Sequence, residues 1–390
     1  MTLLDQLESL LEGDASAIRS EAIRRFDQLA GTRGVILFGA GGLGQKIVRA
    51  MLAHGVRPVA FADNNALLHG RVIEGIPVLA AERAAREHPD ALFVICIWHA
   101  GSSYRQAHFR GQLEGYGITR ICSFPVALWR FLPADPHFLV DLPDGPVVAA
   151  HEVRSAFDMW SDEASRREFV DQVRLRRTGT FDHLGHPIAH AAYMPPDLLQ
   201  PSEEVVIDGG AFDGDTFASW IDVWGETFAL WLAVEPDPWN VRALRARADA
   251  LPREIGSKIK VSPCALSDHE HAMSWEPQGS MSATSRHDGD VSVHATTIDV
   301  LARELGVRPT IIKLDVEGAE SLALAGAESV IRDARPVLAV CVYHLQDHLW
   351  TLPLQIKAYC DDYDFFLRAH NEEGFDLVCY AVPKERRLSQ

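Results

Sequence analysis

An acidic glycine turn near the middle of the chain has the residues best suited to bind a small cofactor. Asp208-Gly-Gly-Ala-Phe-Asp-Gly214 follows an apolar β-branched run, and the next apolar run of the chain ends in Glu235. A strand, a turn, a helix and a second strand that ends in an acid outline a nucleotide-type site in a doubly wound sheet. Carboxylates at Asp208, Asp213 and Asp215 would repel a pyrophosphate, so the turn favours a ligand that carries positive charge.

S-adenosylmethionine is a cofactor of this kind because it carries a sulfonium and an ammonium group. We expect Glu235 to accept hydrogen bonds from its two ribose hydroxyls. The run Ala265-Leu266-Ser267 ends the third strand of the same unit, where the adenine edge would lie. An acidic surface turn without a ligand is the alternative. The expected cofactor contacts of the turn are Asp208, Gly209, Gly210, Phe212 and Asp213.

A second glycine turn, nearer the N-terminus, has the opposite electrostatic character. Gly39-Ala-Gly41-Gly-Leu-Gly44 follows a strand, opens a helix and contains no acid. The free N–H groups of a helix N-terminus favour an anion, and Asp63, nineteen residues after Gly44, could bind a ribose. This spacing predicts a dinucleotide or sugar-nucleotide site. The alternative is that the glycines only allow the strand and the helix to pack closely.

Transfer of the sulfonium methyl group to an acceptor would need aligned reactants and would benefit from a general base. His344 follows the fifth predicted strand of the second unit, so we expect it at the carboxyl edge of the sheet as the first candidate for that base. Asp315, which ends an apolar strand, is the second candidate and a further cofactor contact. A structural hydrogen bond is the alternative role of His344. Glu317, Arg368 and His370 are predicted to line the acceptor pocket.

Two neighbouring features have simpler interpretations. Glu320 lies in the first turn of the next predicted helix, where an acid complements the helix dipole. No metal is expected, because no spacing matches a known metal motif. Five side chains could nevertheless supply ligands: Asp315, His344, Asp347, His348 and His370.

These residues depend on two units in which strands and helices alternate, the pattern of doubly wound α/β domains. We predict an N-terminal domain over residues 1–125, made of helices and a Rossmann-like nucleotide-binding fold. Residues 126–203 form a connector and helical preface, in which Ser161 is predicted to cap a helix. Residues 204–390 form the second domain, with a seven-stranded sheet. Its Ser-, Gly- and His-rich segment 276–295 is predicted to be a mobile loop.

The strand positions that this alternation predicts are short and regular. The N-terminal unit follows helical residues 2–30. Its strands are predicted near 34–38, 58–62 and 91–97, and those of the second unit near 204–208, 229–234, 259–264, 309–314, 336–342, 363–368 and 376–381.

Composition excludes several classes of function. The 390 residues carry a net charge of −17, which argues against binding to nucleic acid or anionic lipid. The six cysteines include no CxxC pair, which favours free thiols in a reducing compartment. No apolar stretch approaches the length of a transmembrane helix, and the acidic N-terminus is unlike a signal peptide. The sequence therefore predicts a cytoplasmic protein without a membrane span, and leaves open whether it is a homodimer.

The second unit resembles the FkbM-type S-adenosylmethionine-dependent methyltransferases. The resemblance covers roughly residues 150–382 and rests on Asp208-Gly-Gly-Ala-Phe-Asp-Gly214, Glu235-Pro236, Ala265-Leu-Ser-Asp268 and Lys313-Leu-Asp-Val-Glu-Gly-Ala-Glu320. It implies a class I methyltransferase fold and O-methylation of a hydroxyl on a sugar, glycan or related metabolite. Phe212-Asp213 departs from the Asn that the family usually has in this turn.

The N-terminal unit resembles the nucleotide-sugar-binding domains that precede some sugar-modifying transferases. The residues that carry this likeness are Gly39–Gly44, Phe61-Ala-Asp-Asn64 and Gly70–Val78. Two other functions remain as alternatives. One is a nicotinamide-dependent oxidoreductase that uses the Gly39–Gly44 turn, and the other is a noncatalytic nucleotide-sugar-binding protein.

Overall fold

The protein contains two doubly wound α/β sheets joined by helices. A computed structural model describes residues 1–99, 104–135, 137–188, 193–276 and 291–388. The predicted helical segment at the N-terminus forms two helices, α1 (Leu3–Leu11) and α2 (Ala15–Ala30). Thr2 and Asp14 cap these helices through their side-chain oxygens.

The first sheet has the strand order β3-β4-β2-β1-β5-β6 among the described residues, with β3 antiparallel to β4 and the other pairs parallel. The three predicted strands of this unit are confirmed. Its strands are β1 (Val35–Phe38), β2 (Ala60–Asp63), β3 (Val72–Ile73), β4 (Ile76–Ala80), β5 (Leu92–Ile95) and β6 (Ile121–Ser123). Its helices are α3 (Gly42–Ala53), α4 (Ala81–Glu87), α5 (Gln106–Gly115) and α6 (Pro125–Phe131).

Three helices occupy the segment between the sheets: α7 (Gly145–Val148), α8 (Ala150–Met159) and α9 (Glu163–Thr178). The predicted capping residue of α9 is wrong by one position. Asp162 is the N-cap and accepts a hydrogen bond from the Ser165 N–H at 2.7 Å. Ser161 instead accepts one from the Phe365 N–H at 3.0 Å, which fixes the start of α9 on the second sheet.

The second sheet has the order β15-β16-β14-β13-β7-β8-β9, in which β16 alone is antiparallel to its neighbours. This is the seven-stranded sheet that the sequence predicts. Its strands are β7 (Glu204–Gly209), β8 (Phe228–Val234), β9 (Ile259–Ser262), β13 (Ile311–Leu314), β14 (Val337–Cys341), β15 (Tyr363–Ala369) and β16 (Leu377–Pro383). Its helices are α10 (Asp215–Trp224), α11 (Pro238–Asp249), α12 (Arg253–Gly256), α13 (Ile298–Leu305), α14 (Glu320–Ala325), α15 (Glu328–Ala334) and α16 (His348–Tyr359).

A small third sheet corrects the prediction of a loop over 276–295. Val291–Thr296 is a strand, β12, between β10 (Ala265–Leu266) and β11 (His271–Trp275). Val293 and Ala295 of β12 are buried, while the alternating residues Ser292 and His294 are exposed. The polar residues on the exposed face make the composition of this strand resemble that of a loop. Residues 277–290 of the predicted loop lie outside the described residues.

The carboxyl edges of the two large sheets face each other. Trp98 follows β5 and packs on Phe375, in the loop from β15 to β16, with 4.3 Å between the ring centroids. The Trp98 indole N–H also donates to the Glu373 carbonyl at 3.2 Å. Because β15 is parallel to β14, this loop leaves the carboxyl edge of the second sheet. Ligands of doubly wound sheets bind at that edge, so the two predicted sites open toward the same interface.

Candidate functional site

The acidic glycine turn is held against the next strand of the sheet. The N–H groups of Gly210 and Ala211 both donate to the Val234 carbonyl at 3.0 Å. Gly210 has a φ of +74°, and a Cβ at this position would lie 1.8 Å from the Asp315 carbonyl oxygen. A glycine is therefore required where the turn approaches the end of β13.

Asp208 lies beneath the turn and is fully buried. Its Oδ1 is 3.1 Å from Lys313 Nζ, and its Oδ2 accepts a hydrogen bond from the Trp231 indole at 3.2 Å. Lys313 also donates to the Gly210 carbonyl at 2.7 Å. Burial alone would lower the pKa of Lys313, but the carboxylates of Asp208 and Asp315 raise it above its ordinary value. Asp208 and Lys313 therefore form a buried ion pair.

Two of the three carboxylates of this turn have a cationic partner. Asp208 pairs with Lys313, and the Asp213 carboxylate lies 2.5 Å from Arg247. Only Asp215, whose pKa is raised by burial, lacks an ion-pair partner among the described residues. The predicted attraction of a cation by all three acids is therefore wrong. The predicted cofactor contacts of Gly209, Gly210 and Phe212 rest on position and stay predictions.

Glu235 joins the glycine turn to the following helix. One carboxylate oxygen accepts a hydrogen bond from the Phe212 N–H at 3.0 Å. The other accepts from the Asp237 N–H at 2.9 Å and the Asn240 amide at 3.2 Å. Burial raises the pKa of Glu235 against these hydrogen bonds, and the side chain is 5% exposed. The acid thus lies at the end of β8, where a ribose contact was expected, next to Pro236.

The segment predicted to lie along an adenine ring is also close to the turn. Ala265, Leu266 and Ser267 are buried. A Cβ on Gly209 would lie 2.6 Å from the Leu266 side chain, so this side chain packs against the glycine. The turn and this segment are therefore adjacent in the fold, as a shared cofactor site requires.

His344 lies in a buried group of carboxylates at the same edge of the sheet. Its Nδ1 is 2.8 Å from Glu320 Oε1, and its Nε2 is 3.3 Å from Asp315 Oδ1 and 3.7 Å from Glu317 Oε2. Burial alone would lower the pKa of His344, but Glu320 and then Asp315 raise it to about 9. The imidazole is therefore protonated at neutral pH in the isolated protein.

Glu320 has a larger role than the helix-dipole interpretation gave it. It is fully buried, and its Oε1 accepts a hydrogen bond from the Val316 N–H at 2.9 Å. Its Oε2 lies 3.2 Å from His348 Nδ1. Burial opposes ionisation, but His344 lowers the pKa of Glu320 below its ordinary value. Glu320 therefore stays ionised and fixes both histidine rings.

Tyr193 is a site residue that the sequence argument missed. Its hydroxyl donates to Asp315 Oδ2 at 2.6 Å, and Lys313 Nζ lies 4.9 Å from its ring centroid. Its φ of +75° belongs to the left-handed region. Tyr193 precedes Asp315 by 122 positions and has no motif around it, so only the fold brings them together.

Two predicted acceptor contacts have different outcomes. Arg368 is 7% exposed and is bound by Asp162 at 2.7 Å, Asp197 at 3.1 Å and Ser165 at 2.9 Å. Its guanidinium ties α9 to β15, and its predicted place in the acceptor pocket stays a prediction. His370 lies at the carboxyl end of β15, and its Nε2 is 2.7 Å from the Tyr380 hydroxyl.

The N-terminal turn has the geometry of a nucleotide fingerprint. A Cβ on Gly44 would lie 2.0 Å from the Gly39 carbonyl oxygen, whereas one on Gly41 would meet no atom within 4 Å. Asp63 Oδ2 accepts a hydrogen bond from the Ala40 N–H at 2.7 Å. Gly44 thus serves close packing, while Gly41 leaves open space at the N-terminus of α3. Both functions expected of the motif are compatible with this turn.

Comparison with known proteins finds a similarity for the second sheet. Residues 208–373 match the methyltransferase FkbM domain. The structure of a methyltransferase FkbM from Methylobacillus flagellatus KT has 21% identity and a TM-score of 0.77, and the match covers 97% of this chain and 98% of that one. At this identity the likeness shows the fold. No curated protein matches the chain.

Weaker structural matches cover parts of the chain. Precorrin-6y C5,15-methyltransferase from Geobacter metallireducens GS-15 covers 50% of this chain and 94% of its own, at 10% identity and a TM-score of 0.31. UDP-D-quinovosamine 4-dehydrogenase from Vibrio fischeri covers 23% of this chain and 75% of its own, at 23% identity and a TM-score of 0.19. Scores this low carry no argument.

Within the described residues, no helix is both long and apolar enough to cross a membrane.

Proposed function

We propose that this chain is a methyltransferase that uses S-adenosylmethionine to methylate a hydroxyl group of a sugar, glycan or related metabolite, because residues 208–373 match the FkbM methyltransferase domain. The observation that carries the proposal is the position of Glu235. It ends the strand beside the glycine turn and accepts a hydrogen bond from Phe212 within that turn, where the ribose of a nucleoside cofactor binds in doubly wound folds.

The cofactor site and the reactive group lie at one sheet edge. The close approach of Gly210 to the Asp315 carbonyl joins the turn to the segment that faces His344. A methyl group held over this edge would therefore lie beside the Asp315–His344 pair. In-line transfer needs this proximity of donor and acceptor groups.

Asp315 is the better candidate for the general base at neutral pH. The pKa of His344 is raised to about 9, so its imidazole is protonated and cannot accept the hydroxyl proton below that pH. This reverses the order that the sequence predicted for the two candidates. In the transfer, the acceptor hydroxyl gives its proton to the base. Its oxygen then bonds to the methyl carbon while the carbon–sulfur bond breaks, and neutral S-adenosylhomocysteine leaves.

The facing edges of the two sheets support a nucleotide-linked sugar as the acceptor. Trp98 and Phe375 join the carboxyl edges of the two sheets directly. Gly41 leaves open space at the first turn, and Asp63 lies beside that turn. A nucleotide bound there would extend its sugar toward the second sheet. The proposal therefore assigns acceptor binding to the first domain and methyl transfer to the second.

The test is methyl transfer to a panel of nucleotide sugars and free sugars. We expect a product 14 Da heavier than its acceptor, with an O-methyl signal by NMR. Asp315→Asn should abolish turnover while S-adenosylhomocysteine still binds in calorimetry. Absence of binding at millimolar cofactor, or methylation at nitrogen or carbon, would contradict the proposal.

A further inference from the structure

The buried histidine site contains two polar atoms that face each other without a hydrogen bond. They are His344 Nε2 and Asp315 Oδ1, 3.3 Å apart. The side chain of His344 is 2% exposed and that of Asp315 is 21% exposed. Buried polar atoms without a hydrogen-bond partner are costly, and an ion is one of the few ways to satisfy them.

The remaining polar atoms of these two side chains are already held. Tyr193 donates to Asp315 Oδ2 at 2.6 Å, which leaves Oδ1 free. Glu320 lies 2.8 Å from His344 Nδ1, which places a proton on that nitrogen, so a cation that binds Nε2 would displace the second proton of the imidazole. A carboxylate that orients a histidine in this way is the usual outer partner of a metal-bound imidazole.

A third donor lies beside this pair. Glu317 Oε2 is 3.7 Å from His344 Nε2, and the residue has a φ of +53°. The side chain is 20% exposed, so the group is open to the acceptor side of the site. Asp315, Glu320 and His344 also present donor atoms within 4.8 Å of one another, and Glu317 is a further donor beside this group.

We propose that His344 Nε2, Asp315 Oδ1 and Glu317 bind a divalent cation of the manganese class, with Glu320 and Tyr193 as the outer partners. Two carboxylates and one imidazole suit Mn²⁺, which prefers oxygen donors and accepts nitrogen. The chain spacing of these ligands matches no metal motif, which is why the sequence predicted none. Only the adjacent ends of β13 and β14 bring them together.

The cation would act on the acceptor, and this role rests on the proposed methyltransferase function. Bound to the acceptor oxygen, it would stabilise the alkoxide and position it for attack on the methyl carbon. The cation is neither oxidised nor reduced and forms no bond to the methyl group, so the same bonds form and break as without it. When the cation is bound, Asp315 would hold it instead of acting as the general base, and the hydroxyl proton would leave to solvent.

The test is calorimetric titration of Mn²⁺ into the full-length protein after treatment with a chelator, with and without S-adenosylhomocysteine. We expect one site per chain in the wild type. Glu317→Gln and Glu320→Gln should each weaken it by about 10- to 100-fold. Glu270→Gln is the matched control and should leave Mn²⁺ affinity unchanged, because Glu270 is an exposed acid between β10 and β11 that pairs with the exposed His294. Circular dichroism confirms that each variant is folded.

The outcomes separate this inference from the proposed function. No Mn²⁺ binding by the wild type at millimolar concentration overturns the metal site, whether or not S-adenosylhomocysteine binds. Equal weakening in Glu270→Gln also overturns it, because the binding would then reflect the acidity of the whole protein. Mn²⁺ binding without any binding of S-adenosylhomocysteine supports the metal site and contradicts the methyltransferase mechanism.

Discussion

The buried ion pair between Asp208 and Lys313 gives the sharpest stability prediction. The two side chains are 0% and 3% exposed, and their charged atoms are 3.1 Å apart. Asp208→Asn keeps an oxygen for the Trp231 indole but removes the charge that compensates Lys313. Removal of one partner from a buried pair usually costs about 3–5 kcal/mol. Because Lys313 keeps its hydrogen bond to Gly210, we expect about 3 kcal/mol here.

The assay is urea unfolding of a double-mutant cycle, followed by circular dichroism and by tryptophan fluorescence. Lys313→Met removes the cation at similar volume, and the double variant leaves no buried charge uncompensated. We therefore expect the double variant to be less destabilised than the sum of the single variants by about 2 kcal/mol. Glu328→Gln breaks the exposed pair with Arg332 and is the control, with an expected cost of about 0.5 kcal/mol or less.

Additive single effects, or a cost for Asp208→Asn below about 1 kcal/mol, would refute the reasoning. Asp208 would then not compensate Lys313 in the folded protein. Its carboxylate would be free to act as the direct cofactor contact that the sequence suggested.

Three further predictions concern the elements around the site. Burial raises the pKa of Glu373 to about 7, so ionisation of this carboxyl lowers stability as pH rises from about 4.5 through 7. Glu373→Gln should therefore raise the unfolding free energy by about 2 kcal/mol at pH 8 and by less at pH 5. Thermal unfolding at both pH values measures this difference. Gly210→Ala should cost about 3 kcal/mol in urea unfolding and abolish turnover, since the new Cβ would displace Asp315; unchanged stability would contradict the turn geometry. Arg368→Lys should cost about 2 kcal/mol without changing the KM for the acceptor, whereas a raised KM at full stability would support its predicted place in the acceptor pocket.

Local patterns predicted the strands and the residues that end them. Glu235, Asp315 and His344 all lie where the alternation of strands and helices placed them, because the end of an apolar run is visible in the sequence. The glycine turns were equally readable, since Gly44 and Gly210 are required by close backbone approach.

Ion-pair and hydrogen-bond partners that are distant in the sequence could not be predicted in this way. Asp208 and Lys313 are neighbours only through the register of β7 and β13. The hydrogen bond from Tyr193 to Asp315 joins the connector to a strand end, and no periodicity encodes it. The partners of Arg368 were hidden for the same reason, since Asp162 and Asp197 belong to the connector. Charges at a motif therefore indicate a site, but their neutralisation depends on the tertiary structure.

The most direct measurement of the central claim is calorimetric binding of S-adenosylhomocysteine to the wild type, Glu235→Gln and Asp63→Asn. Asp63 is the matched control because it ends β2 beside the first glycine turn, as Glu235 ends β8 beside the second. We predict binding by the wild type and by Asp63→Asn, and about 10- to 100-fold weaker binding by Glu235→Gln, the loss expected for a charge-assisted hydrogen bond. Unchanged affinity of Glu235→Gln, or loss of binding in Asp63→Asn instead, would contradict a cofactor site at the second turn.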